Sequence, residues 1–112
     1  MELKSFFTNV ALLKILSEGD AYAYEIIELI KQLTNNTITP IPSTIYPALY
    51  RLEEEGFISS YKIKVGKRME RVYYHIKDTG REELESLTNA FNNIIQYKRN
   101  KVEKDSSFKC IK

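Results

Sequence analysis

The sequence has one cysteine, Cys110, and one histidine, His75. One cysteine cannot close an internal disulfide, which fits a reducing cytosol. A thiol in a polar tail reads as a bystander rather than a redox sensor. One histidine in an apparent strand reads as surface or core filler, and it leaves no Cys/His set spaced for a metal. There is no glycine-rich phosphate loop and no nucleophile elbow. An enzyme is therefore not expected, nor a metal, nor a cofactor. No apolar run approaches the roughly 18–20 residues of a membrane span. The opening Met-Glu-Leu-Lys-Ser-Phe-Phe has no basic lead into an apolar stretch, so no signal peptide is expected. The expectation is a cytoplasmic protein without a membrane partner. Internal repeats and low-complexity segments are also lacking. The 112 residues suit one domain with a modest core.

The net charge is only +2, but it is unevenly spread. Residues 1–61 hold four basic and eight acidic side chains. Residues 62–71 hold Lys62, Lys64, Lys67, Arg68 and Arg71 against Glu70 alone. Residues 72–97 are net acidic, and residues 98–112 are net basic again. The ten-residue basic stretch has two readings, a contact for a polyanion or a solvated hairpin edge.

Leu3, Phe6, Phe7, Val10, Leu13 and Leu16 recur at helical steps, and Ala11, Leu12 and Ile15 widen the stripe. Such a helix needs more than one covering surface. Gly19 ends it, and Asp20 is expected to cap the next helix. Tyr24, Ile26, Ile27, Ile30 and Leu33 form that helix's face. Thr34 to Thr37 is a polar turn. Pro40 and Pro42 hold their predecessors extended. A third helix opens at Pro42-Ser43-Thr44, capped by Ser43 or Pro42, with Pro47 expected in its first turn. Its inward stripe is Ile45, Ala48, Leu49 and Leu52, and Gly56 stops it. Residues 61–65 then alternate apolar and charged, as a half-buried strand does, and residues 71–76 return. The hairpin has a basic tip. A last helix starts at Asp78 or Thr79 and is expected to reach about residue 103, with Leu84, Leu87, Phe91, Ile94, Ile95 and Lys98 at heptad-like steps.

Three helices, a hairpin and a long helix make a mainly α (α+β) winged helix-turn-helix layout, with a two-stranded β-wing. The expected division is a DNA-binding domain at 1–77, a dimerisation helix at 78–103 and a flexible basic tail at 104–112. In this layout a helix enters the major groove and the wing touches adjoining phosphates. Ser43, Thr44, Tyr46, Pro47, Tyr50 and Arg51 face away from the inward stripe and are the candidate readers of double-stranded DNA; arginine can read guanine bidentately. Tyr46 has a second reading, packing against the wing or the second helix. Lys67, Arg68 and Arg71 are the candidate wing contacts. Glu53, Glu54 and Glu55 would repel phosphate, so the N-terminal end of this helix must face DNA.

The stretch from Pro42 to Gly56, Pro-Ser-Thr-Ile-Tyr-Pro-Ala-Leu-Tyr-Arg-Leu-Glu-Glu-Glu-Gly, resembles the signature of the PadR family of transcriptional regulators. Glu18-Gly19, Tyr24-Glu25-Ile26, Gly66-Lys67-Arg68, Arg71 to Ile76 and Thr79-Gly80-Arg81 extend the resemblance over roughly residues 6–85. One departure is Tyr22-Ala23, where the family commonly has His-Gly. The resemblance implies a repressor and a homodimer built through the last helix, in the short branch of the family. The apolar circumference of the first helix and the seam of the last ask for a partner independently. A dimer sets two recognition helices for successive major grooves, hence a pseudo-palindromic operator. The resemblance also implies an interface that admits flat aromatic effectors. Phe6, Phe7, Val10, Leu87, Phe91 and Ile95 are the candidates, with Phe91 either a ligand clamp or plain core. The competing readings are a winged-helix protein-interaction module, which the basic wing tip opposes, and a MarR-type regulator, which the string at 42–56 opposes.

Overall fold

The computed structural model describes residues 1–99. The elements run α1 (Leu3–Ser17), β1 (Ala21–Tyr22), α2 (Ala23–Leu33), α3 (Pro42–Glu54), β2 (Ile58–Val65), β3 (Met69–Ile76) and α4 (Asp78–Ile95). The fold is mainly α with a β-wing, as expected. Its sheet, however, has three antiparallel strands in the order β1-β3-β2. The two residues of β1 pair with β3 through Ala21↔Tyr74 and Tyr22↔Tyr73. A two-residue strand is too short for any periodicity to announce it.

Much of the broad apolar surface of α1 is covered within the chain, since it contacts α2, α3, β3 and α4. Leu12, Leu13 and Leu16 are fully buried, and Phe6, Val10, Ala11 and Ile15 flank them. The inward stripe of α3 is as read, with Ile45, Ala48, Leu49 and Leu52 all buried. Gly56 follows α3 at φ 84°, a conformation that a side chain resists. Thr34 closes α2 by donating to the Ile30 carbonyl at 2.7 Å, and Asn35 and Asn36 make the turn with positive φ.

Five local expectations are corrected. Asp20 does not cap α2: Tyr22 holds the N-cap position without a side-chain bond, because β1 intervenes. Ile41, not Ser43 or Pro42, is the N-cap of α3, with Pro42 as its first helical residue. Pro47 therefore lies in the second turn, where its missing N–H is the one that would have bonded the Ser43 carbonyl. Residues 61–65 are not half-buried throughout. Tyr61 and Ile63 are 41% and 42% exposed, since the hairpin runs out beyond the helices and only Ile58, Tyr74 and Ile76 at its base enter the core. Finally α4 ends at Ile95 with Gln96 as its C-cap, and residues 96–99 are not helical. The remainder of the expected helix to 103 and the basic tail with Cys110 lie outside the described residues.

Candidate nucleic-acid interface

The fold turns one face of α3 to solvent. Ser43, Tyr46, Pro47, Tyr50 and Arg51 are exposed, and Thr44 is half-buried. Tyr46 and Tyr50 are 45% and 64% exposed, so neither is consumed by packing. The two edges of this face meet different neighbours. On one edge the Ser60 hydroxyl of β2 donates to Glu53 Oε2 at 2.8 Å, tying the wing to the C-terminal end of α3. Burial pushes the Tyr74 phenol on β3 up from its usual range, and the nearby Tyr46 and Glu53 add to the effect. Tyr46 therefore lies on the wing side of α3. On the other edge, Thr44, Pro47 and Arg51 face α1. A groove of about 280 Å³ runs there, lined by Glu2, Lys4, Ser5 and Thr8 of the α1 end and by Ser43, Thr44, Pro47, Ala48 and Arg51 of α3. Nothing in the local pattern of Lys4, Ser5 or Thr8 pointed to this juxtaposition, which only the crossing of α1 over α3 creates.

Lys67 and Arg68 sit in the exposed turn between β2 and β3. Arg71 is placed differently. It is half-buried on β3, and its guanidinium lies 4.4 Å above the centroid of the Tyr22 ring, a cation–π distance. Tyr22, Tyr73 and Tyr61 form one rung across all three strands, with ring centroids 5.4 and 5.8 Å apart. The rung ends at Asp20. The Tyr61 hydroxyl donates to Asp20 Oδ2 at 2.6 Å and His75 Nδ1 donates to Oδ1 at 2.8 Å. The Tyr61 bond, followed by the His75 bond, holds the Asp20 carboxyl below its usual range. The same Asp20 bond pushes the Tyr61 phenol up. Asp20, His75 and Tyr61 thus brace the wing against the α1–β1 loop. Sequence reasoning missed this brace because its members are 41 and 55 residues apart.

The candidate effector residues come together only in part. Phe6, Phe7 and Phe91 form one cluster, with centroid separations of 5.4, 6.4 and 6.1 Å. Leu87 is buried in the core and Val10 flanks it, whereas Ile95 is 65% exposed at the end of α4. Among the described residues no cluster of His, Cys, Asp and Glu could hold a metal, and no helix is long and apolar enough to cross a membrane.

The family model of the transcriptional regulator PadR-like family matches residues 12–86. The chain is similar to the transcriptional regulator YqjI of Escherichia coli (strain K12), with 39% identity over 60 residues; the match covers 54% of this chain and 29% of that relative's length. Among solved structures it resembles a transcriptional regulator from Clostridium thermocellum (Cth-833), with TM-score 0.73, 28% identity and 91% of each chain covered. It also resembles Bacillus subtilis PadR in complex with operator DNA, with TM-score 0.65, 27% identity, and 82% of this chain and 49% of that chain covered.

Proposed function

The chain belongs to the transcriptional regulator PadR-like family, and on that premise we propose that it binds a pseudo-palindromic operator as a homodimer and represses transcription there. The family is one of regulators, not of enzymes. The observation that carries the reading is the solvent face of α3, where Ser43, Tyr46, Pro47, Tyr50 and Arg51 stand free beside a cationic hairpin. Hydroxyls and a guanidinium on one exposed helix face are what base edges and phosphates bond to. The orientation follows from charge. Glu53, Glu54 and Glu55 crowd the C-terminal end, so the Ser43 end leads into the groove. The similarity to a PadR solved in complex with operator DNA supports DNA binding.

The effector, on this reading, is a planar aromatic compound that meets the cluster of Phe6, Phe7 and Phe91. Phe7 is 52% exposed and accessible to such a compound. The test is an unbiased selection of duplexes bound by the full chain, followed by titration of the winner. Tyr50→Ala is expected to weaken the selected duplex by about 1–3 kcal/mol while leaving random DNA nearly unchanged. Equal losses on both would refute groove reading by α3. Repeating the selection with planar phenolic compounds reads the effector directly, as lost recovery of the winning duplex.

A further inference from the structure

A helix lying in a major groove about 12 Å wide has a phosphate strand on each side. The wing, tied to α3 through Ser60 and Glu53, serves one side. The other side of α3 borders the first turns of α1. We infer that the groove between α1 and α3 seats a DNA phosphate, with Lys4 as a backbone-contacting residue that positions α3 opposite the wing. The inference rests on the DNA-binding reading above and extends it to a third element.

The chemistry of the groove supports an anion. Lys4 and Arg51 both line it, both are exposed, and neither forms an ion pair among the described residues. Lys14, near the other end of the same helix, is by contrast held by Glu18 at 2.9 Å. The Thr8 hydroxyl is already donated to the Lys4 carbonyl at 2.8 Å. The Ser5, Ser43 and Thr44 hydroxyls remain available as donors beside the two cations. Glu2 is the one carboxylate in the lining and opposes an anion, so two cations face one negative charge. The acid-rich balance of residues 1–61 conceals this local excess. The site is continuous with the exposed face of α3, since Ser43, Pro47 and Arg51 belong to both.

The contact is tested with the full chain and a random-sequence duplex of roughly 30 base pairs, about three helical turns. Affinity is read by fluorescence anisotropy across a salt series. Lys4→Ala is expected to lower the slope of log affinity against log salt by about 0.9 for each protomer, the value of one phosphate contact, and so by roughly 1.8 for a bound dimer. It should weaken selected and random duplexes alike, and Lys4→Arg should restore the slope. Glu2→Gln should tighten binding, which a purely structural role would not produce. Lys14→Ala should change neither quantity. An unchanged slope in Lys4→Ala, with Arg68→Ala still lowering it, overturns the groove contact and leaves DNA binding standing. An equal loss in Lys14→Ala overturns it too, as a general charge effect. Absence of DNA binding by the unaltered chain overturns both readings.

Discussion

Gly80 lies where α4 passes the end of α3's exit. A Cβ there would overlap the Phe57 carbonyl oxygen and approach Ile76 Cγ1 to 2.8 Å. The obstruction is backbone, which also accepts a bond from the Lys77 N–H at 2.9 Å, so it cannot swing aside. Alanine in place of glycine favours a helix by up to about 1 kcal/mol, and less at the third position of α4. Overpacking against fixed backbone costs about 1–3 kcal/mol. The overlap wins. Gly80→Ala is expected to lower unfolding stability by about 2 kcal/mol in urea titration, and a change within about 0.5 kcal/mol would refute the close approach.

Asp20 acts at the same scale through charge. Its carboxyl is held below the ordinary 3.8 by the Tyr61 and His75 bonds. A depressed folded value means the stabilising contribution is present above the unfolded value and disappears as pH falls through the folded one. Below about pH 4 the wing's brace to the α1–β1 loop should therefore weaken. Asp20→Asn removes the titration. The variant should be less stable at neutral pH and should show a shallower loss between about pH 5 and pH 2. Parallel curves for the two proteins would place the acid sensitivity elsewhere.

At the scale of elements, the proposed reading divides DNA contact between the wing and α3. Lys67 and Arg68 stand in an open turn, whereas Arg71 is spread over Tyr22. Arg68→Ala should reduce the salt slope by about one contact per protomer, equally on selected and random DNA. Arg71→Ala should reduce the slope less and lower thermal stability as well, because its guanidinium also covers the tyrosine rung. If the two variants behave alike in both assays, the stacked placement of Arg71 has no energetic consequence. Elements of this kind were legible where a local rule governs them. The buried stripe of α3 follows from 3.6-residue spacing, and the hairpin from alternation around Gly66. Elements set by distant partners were not legible. Asp20 has the chemistry of a helix cap, and only the pairing of β1 with β3 turns it toward Tyr61 and His75. Lys4 sits in an acid-rich half of the chain, and only the α1–α3 crossing places it beside Arg51. The end of α4 at Ile95 also escaped, because heptad steps continue to Lys98 without a glycine or proline to stop them.

At the scale of the whole molecule, one part of the apolar surface left uncovered lies at the meeting of α1 and α4. Phe6 and Phe7 meet Phe91, so the start of α1 lies beside the end of α4. Leu3, Phe7, Ile94 and Ile95, at 71%, 52%, 59% and 65% exposed, fall in that region. A two-fold dimer covers each of them twice. Eight such side chains at about 1.5 kcal/mol each yield roughly 12 kcal/mol, which is comparable with the 4–15 kcal/mol lost on association. The balance is close, so a single charge in the patch should decide it. At about 100° per residue, Leu3 and Phe7 point to a different side of α1 from Lys4 and Thr8, so pairing through this patch leaves the α1–α3 groove open to DNA. Ile95→Glu is expected to give a folded monomer in sedimentation at micromolar concentration, where the unaltered chain is expected to be a dimer. The monomer should retain its affinity for a half-site and lose the tighter binding to a full pseudo-palindrome. A dimer that survives this substitution, or an unaltered chain that sediments as a monomer, would refute assembly through the ends of α1 and α4.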